Sequence, residues 1–322
     1  MLGPLRRSTC FFPLPVFLLV SLLAPSRCLS APRSPQQPTA ALSVEELKAR
    51  ADSGDSLARF QLAQFLLTAN PSASGFELAV AWLRSAVAEN TPYYDFILGY
   101  LYEQGRGVPR DYSAAARYYE AASLRGYAPA QNNLGSLYQH GLGVSKDFSK
   151  AFELYLASAR QADPIAQCNL ALLYYNGYGA VRDEAEALRW FQAAADQDQP
   201  AAQYYLGFFY FKGIGVSMDH KVAAHWITLA AENGYAAAMH DLAYLYERGK
   251  GVPLDYVSAY AWYTHAVAAG DASSVERLRN LSQIMTRRQI EQADSLVSQR
   301  SLPNRRGSDL PTPASLALLS NP

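Results

Sequence analysis

Apolar positions in this 322-residue chain recur with helical spacing, and the helical segments themselves recur every 36 residues. One stripe reads Ala130, Leu134, Leu137 and Tyr138, spaced i, i+4, i+7 and i+8, which is one face of an amphipathic helix. Leu98, Leu101 and Tyr102 stand one period earlier; Leu170, Leu173 and Tyr174, then Leu206, Phe209 and Tyr210, then Leu242, Leu245 and Tyr246 continue the stripe. A second stripe in each period begins at Ala115, Ala151, Ala187, Ala223 and Ala259 and runs on to bulky pairs such as Trp190-Phe191 and Trp262-Tyr263. Alanine lets helix axes approach, and the large rings fill the wider gaps. A single pair of such helices cannot bury both faces, so the pattern predicts a stack of identical hairpins.

Glycine and aspartate punctuate each hairpin. Gly105, Gly141, Gly177, Gly213 and Gly249 fall where the first helix must stop, in the left-handed position that glycine alone takes without strain. A second glycine follows two residues later in every copy, at Gly107, Gly143, Gly179, Gly215 and Gly251. Asp111, Asp147, Asp183, Asp219 and Asp255 then open the second helix, where a carboxylate caps free amide hydrogens. A worn copy precedes these five, with Ala58, Leu62, Ala79, Trp82 and Ala86 in phase but Ala69 and Pro71 in place of the glycines. Glycine also ends the second helix at Gly126, Gly234 and Gly270, and Ala162 and Asp198 take its place in two copies.

The expected fold class is all-α: a right-handed α/α superhelix of six helix–turn–helix repeats over 55–270, divided at 90, 126, 162, 198 and 234. A capping helix over 43–54 guards its start, opened by Ser43 and Glu46. A helical cap over 271–300 closes the far end; Asp271 starts one helix, and the Thr286–Gln289 capping box starts another.

These columns, with Gly135 (and Gly99, Gly207), Gly141, Gly143, Val144 and Asp147 as their clearest members, resemble the Sel-one-like repeat family, an α-solenoid relative of the tetratricopeptide repeats. The resemblance covers roughly 55–270 and is to bacterial-type exported members. It implies a non-enzymatic adaptor or scaffold whose partner is a protein or peptide, with no cofactor. A few cysteine-rich members are linked to β-lactam binding, which makes a cell-wall-active or β-lactam-hydrolysing enzyme the alternative. Those relatives pair cysteines within each repeat, whereas here the repeats hold only Cys168, read as a packed thiol.

Composition narrows the partner. Residues 1–30 carry Arg6, Arg7 and Arg27, no acid, and an apolar run from Cys10 to Ala24 that is short for a membrane span. They read as a signal peptide for export to a periplasm, the exterior or a secretory lumen. An uncleaved anchor is the alternative and would be the only membrane contact; a transit peptide fits less well with continuous apolarity. Residues 31–42 and 301–322, rich in proline, read as linker and tail. Without the first thirty residues the chain keeps 25 basic and 28 acidic side chains, which argues against nucleic acid. The five histidines sit in different columns without metal-ligand spacing, and the Gly-x-Gly pairs follow helices instead of strands, so neither metal nor nucleotide chemistry is indicated. Asn280-Leu281-Ser282 is a glycosylation sequon, meaningful only in a eukaryotic secretory pathway.

One helix face remains. Opposite the core stripe of the first helices lie Phe96, Tyr100 and Glu103, then Asn132, Ser136 and Gln139, then Cys168, Leu172 and Tyr175, then Tyr204, Phe208 and Phe211, then His240, Tyr244 and Glu247. First helices of a curved solenoid line its concave side. The apolar middle of this ladder predicts a protein-binding groove at Leu172, Tyr175, Tyr204, Phe208 and Phe211, flanked by Tyr100 and Tyr244. The alternative is that tight curvature buries these rings between neighbouring helices.

Overall fold

Why the chain turns where it does is visible at every repeat boundary. In the computed structural model, which describes residues 43–68, 73–86 and 92–300, the described residues form fifteen α-helices and no strands. They divide into two units between Asp147 and Phe148.

The first unit holds α1 (Val44–Asp52), α2 (Ser56–Thr68), α3 (Ala73–Ala86), α4 (Pro92–Gln104), α5 (Tyr112–Ser123) and α6 (Ala128–His140), each packed on the next. Ser43 and Glu46 close a capping box at the start of α1. The second unit holds α7 (Phe148–Ala159), α8 (Pro164–Asn176), α9 (Glu184–Ala195), α10 (Pro200–Lys212), α11 (His220–Glu232), α12 (Ala236–Arg248) and α13 (Tyr256–Ala268), again packed in sequence. Its last helices, α14 (Ser273–Ile284) and α15 (Arg287–Gln299), both lie against α13. Thr286 and Gln289 form the capping box of α15. The segments read as signal peptide, linker and tail fall outside the described residues, as do Ala69 and Pro71.

The turn within each hairpin obeys one design. Gly105, Gly141, Gly177, Gly213 and Gly249 all adopt φ between 61° and 70°, ending the first helix in the left-handed region. Six residues further on, the backbone amide of each aspartate donates to the carbonyl of the last core tyrosine. Asp111 donates to Tyr102 (3.0 Å), Asp147 to Tyr138 (2.9 Å), Asp183 to Tyr174 (3.0 Å), Asp219 to Tyr210 (2.9 Å) and Asp255 to Tyr246 (3.0 Å). The carboxylates of Asp111, Asp183, Asp219 and Asp255 each accept from two amides in the first turn of the following helix. Asp147 holds the matching place before Phe148.

The second glycine of each pair does something the sequence pattern does not announce. A methyl group at Gly107 would overlap the Phe76 carbonyl, at Gly143 that of Tyr112, at Gly179 that of Phe148, at Gly215 that of Glu184, and at Gly251 that of His220. Each turn therefore rests backbone against backbone on the start of the preceding repeat's second helix. A polar column adds a second link between repeats. Gln131, Gln167 and Gln203 are buried and reach back to carbonyls of Ser123 (3.5 Å), Ala159 (3.3 Å) and Ala195 (3.5 Å). Gln197 and Asn233 donate to the Gln167 and Gln203 side chains at 2.8 and 3.0 Å, and Arg125 pairs with buried Asp95 at the equivalent place.

The two copies lacking a terminal glycine keep its backbone: Ala162 sits at φ 63° and Asp198 at φ 57°. Cys168 is fully buried on α8.

In the first unit an acid is turned inward. Glu103 at the end of α4 is buried, accepts from the Tyr119 hydroxyl of α5 at 2.5 Å, and Asn133 of α6 donates to the same hydroxyl at 3.2 Å. Burial pushes the Glu103 carboxyl up to about 7 against the pull of the Tyr119 hydrogen bond.

Two outcomes follow from these contacts. Gly126 has φ 79° and open space around a would-be methyl, so Gly126→Ala carries only the left-handed backbone cost of about 1 kcal/mol. Gly143→Ala adds overlap with the Tyr112 backbone and costs about 3 kcal/mol or more. Ala162→Gly gains up to about 1 kcal/mol by releasing strain. Urea unfolding is expected to rank Ala162→Gly most stable, Gly126→Ala next and Gly143→Ala least stable, and equal losses for the two alanine variants would refute the close approach. Glu103 binds its proton more tightly folded than unfolded, so its contribution is greatest in acid and falls as pH rises from about 4.5 through about 7. Between pH 5 and pH 8, wild type accordingly loses up to about 3 kcal/mol relative to Glu103→Gln. Parallel stability–pH curves for the two proteins would contradict this.

Candidate interaction groove

The ladder residues of the second unit lie on the first helices α8, α10 and α12. Leu172 and Phe208 are 4% and 3% exposed and belong to one apolar cluster with Cys168, Phe191, Tyr205 and Phe209. For these two, burial prevails over an exposed groove floor. Tyr175, Tyr204 and Phe211 pack against the same cluster while keeping part of their surface open. Tyr204, Phe211 and Tyr244 pack in turn against the next cluster, around Trp262 and Tyr263, so six of the seven predicted residues, Leu172 and five aromatic rings, belong to one continuous apolar run. Tyr100 belongs to the first unit, where it is partly exposed with the Arg106 guanidinium 6.0 Å from its ring centre.

Cations sit over the open rings. Arg182 stands 5.2 Å from the centre of Tyr175, and Arg248 6.0 Å from that of Tyr244. Phe211 takes two ammonium groups, Lys212 at 5.9 Å and Lys250 at 6.0 Å, and the His220 ring lies 4.7 Å from it. Lys212 and Arg248 come from the last residues of α10 and α12, and Arg182 and Lys250 from the turns after α8 and α12.

Deeper in, Tyr204 donates its hydroxyl to Asp241 at 2.9 Å, and its ring packs on Tyr235. Burial pushes the Asp241 carboxyl up to about 6, while the nearby His240 and the Tyr204 hydrogen bond pull it down. Burial and then the Asp241 charge hold the Tyr204 phenol well above its usual range. A polar knot that sequence reasoning missed adjoins this pair. His240 Nδ1 lies 2.8 Å from Ser274 Oγ and 3.0 Å from Asp271 Oδ2, and Ser274 and Ser273 both donate to Asp271. Burial opposes ionisation of Asp271, yet hydrogen bonds from His240, Ser274 and Ser273 outweigh it and hold the carboxyl well below the usual range. The residue types are those of a hydrolase triad, and the geometry is not. Serine and aspartate meet the same imidazole nitrogen, so the ring cannot pass a proton between them, and Ser274 is fully buried. The knot fastens the start of α14. Only Asp271, as a helix opener, was legible beforehand.

Among the described residues no group of three or more His, Cys, Asp or Glu is placed to hold a metal ion, and no helix is long and apolar enough to cross a membrane. The chain offers aromatic surface, cations and buried polar ties, which suit recognition.

Known proteins agree with this architecture. The Sel1 repeat matches residues 94–127, 128–163, 164–199, 200–235 and 236–271; α2 and α3 lie outside these five. A protective antigen of uropathogenic Escherichia coli displaying an SLR fold is similar in structure, with TM-score 0.70 and 28% identity over 79% of this chain. The chain spans 55% of that protein's length. A Sel1 repeat protein from Oxalobacter formigenes has TM-score 0.64 and 28% identity, covering 78% of this chain and 98% of its own. No curated protein matches. With five consecutive copies over more than half its length and two solved relatives of the same build, the chain belongs to the Sel1 repeat family.

Proposed function

We propose that the protein is an exported, non-catalytic scaffold that holds an apolar segment of another protein along α8, α10 and α12. The observation that carries this is the set of partly open rings on first helices, Tyr175 and Phe211 at helix ends and Tyr244 one turn before one, each beside a cation. Side chains of this kind supply contact area at small entropic cost and dominate binding energy where they are part-exposed and rigidly backed. Leu172 and Phe208 back the rings and do not themselves meet the guest. Sel1 repeat proteins typically serve as protein-interaction scaffolds, which supports the class of function. Export rests on the N-terminal sequence, with its paired arginines and short apolar run.

Selection of a random peptide display library on the full chain is expected to enrich binders. Phe211→Ala and Tyr244→Ala then each weaken them roughly tenfold, with unchanged circular dichroism, and a photo-crosslinker in the peptide labels α8, α10 or α12. Labelling confined to the second helices, or affinity untouched by both variants, would discard the groove. The same purified chain is expected to give no nitrocefin turnover above buffer. Turnover abolished by a point mutation would favour the enzyme alternative.

A further inference from the structure

The charges around the ring row are not equivalent. Arg182 is paired with Glu184, and Arg248 with Glu247 at 3.2 Å, an acid that also accepts from the Tyr263 hydroxyl and faces Arg277 at 3.6 Å. Lys212 and Lys250 enter none of the ion pairs formed among the described residues, and both are exposed. The nearest acid in the chain to Lys212 and His220, Asp219, is occupied capping α11 through the amides of Lys221 and Val222. Two ammonium groups from successive repeats thus lie about 6 Å from the centre of one ring without an ion-pair partner among the described residues, in a chain whose residues beyond the thirtieth carry more acid than base. Like charges gathered this way repel each other, and a single anion between them relieves the repulsion while the ring below excludes water.

We propose that the guest segment is acidic: a side-chain carboxylate seats between Lys212 and Lys250 while its apolar neighbour covers Phe211. This rests on the groove reading above and names the chemistry of what enters it. The width of the patch selects the class. On either side the basic groups are neutralised by Glu184 and Glu247, leaving a positive spot one repeat step wide. A nucleic acid, with its closely spaced phosphates, needs a long unpaired basic track, whereas one or two carboxylates on an extended segment match the spot.

The test uses peptide display on the full chain and on the Lys212→Glu/Lys250→Glu variant, both exposed positions whose replacement keeps the helical dichroism. Wild type is expected to enrich Asp or Glu next to an aromatic or aliphatic residue. The charge-reversed chain is expected to lose that preference or prefer Lys and Arg. A selected acidic peptide should lose roughly tenfold in affinity between 50 and 500 mM NaCl, and its Gln-for-Glu counterpart should bind little and without salt dependence. Peptides enriched on wild type with no acidic preference, or the same acidic preference on both chains, would overturn this inference and leave the groove intact. Failure to enrich any peptide would remove the groove itself, and this inference with it.

Discussion

Each of the five glycine-bearing hairpins is positioned by a contact between two stretches of backbone. The second glycine of each turn lies directly on the first residues of the preceding second helix, too close to admit a methyl group. Side chains adjust; backbone atoms do not. The contact therefore sets the step from one repeat to the next within each unit far more sharply than alanine and aromatic packing could. It also ties together the rest of the turn. The same seven residues end one helix with a left-handed glycine, join the aspartate amide to the tyrosine carbonyl, and cap the next helix with the aspartate carboxylate. Donors and acceptors freed at two helix ends are satisfied locally, so a hairpin needs only its neighbours to be complete.

The period, the helix stripes and the capping aspartates were legible because they answer to local rules repeated five times. The left-handed glycine is forced by backbone sterics, the cap by unsatisfied amides, and the stripe by helical geometry. The second glycine was visible as a column but its reason was not, since close approach to another repeat leaves no mark on its own helix. The buried glutamines were missed for the opposite cause: Gln131, Gln167 and Gln203 look like surface residues until the preceding helix is in place to receive them. At Ala162 and Asp198 another residue takes glycine's place, and the backbone keeps the left-handed bend. Docking on both sides fixes that conformation and imposes the strain on whichever residue occupies it.

The ladder shows where periodicity stops being informative. Spacing assigned Leu172 and Phe208 to a face apart from the core stripe, correctly as geometry. A helix packed on two sides, however, has flanks whose exposure depends on the tilt of its neighbours. Leu172 and Phe208 lie three residues before Tyr175 and Phe211, one turn deeper, and are enclosed; the rings at the helix ends stay partly open. The same column stays partly open at Tyr100 and Tyr244, so exposure here follows what packs around each helix, a property that no single helical wheel contains.

The last ladder column also explains why contact chemistry gathers in the middle repeats. It reads Glu103, Gln139, Tyr175, Phe211 and Glu247, and the second-helix column that can meet it reads Tyr119, Tyr155, Phe191, Ile227 and Tyr263. Where the first column is acidic, the second offers a hydroxyl: Glu103 takes that of Tyr119, and Glu247 that of Tyr263 at 2.8 Å. Where the first column is aromatic, the second is purely apolar, because a tyrosine hydroxyl beneath Tyr175 or Phe211 would be buried without an acceptor. The Glu103 and Glu247 repeats are thereby internally satisfied. In the outer repeats the polar side chain is consumed by its own tyrosine. In the two aromatic repeats cations lie beside the rings instead, Arg182 beside Tyr175 and Lys212 and Lys250 beside Phe211. An unvarying turn thus lets one column alternate between internal tie and external contact without disturbing the step between repeats.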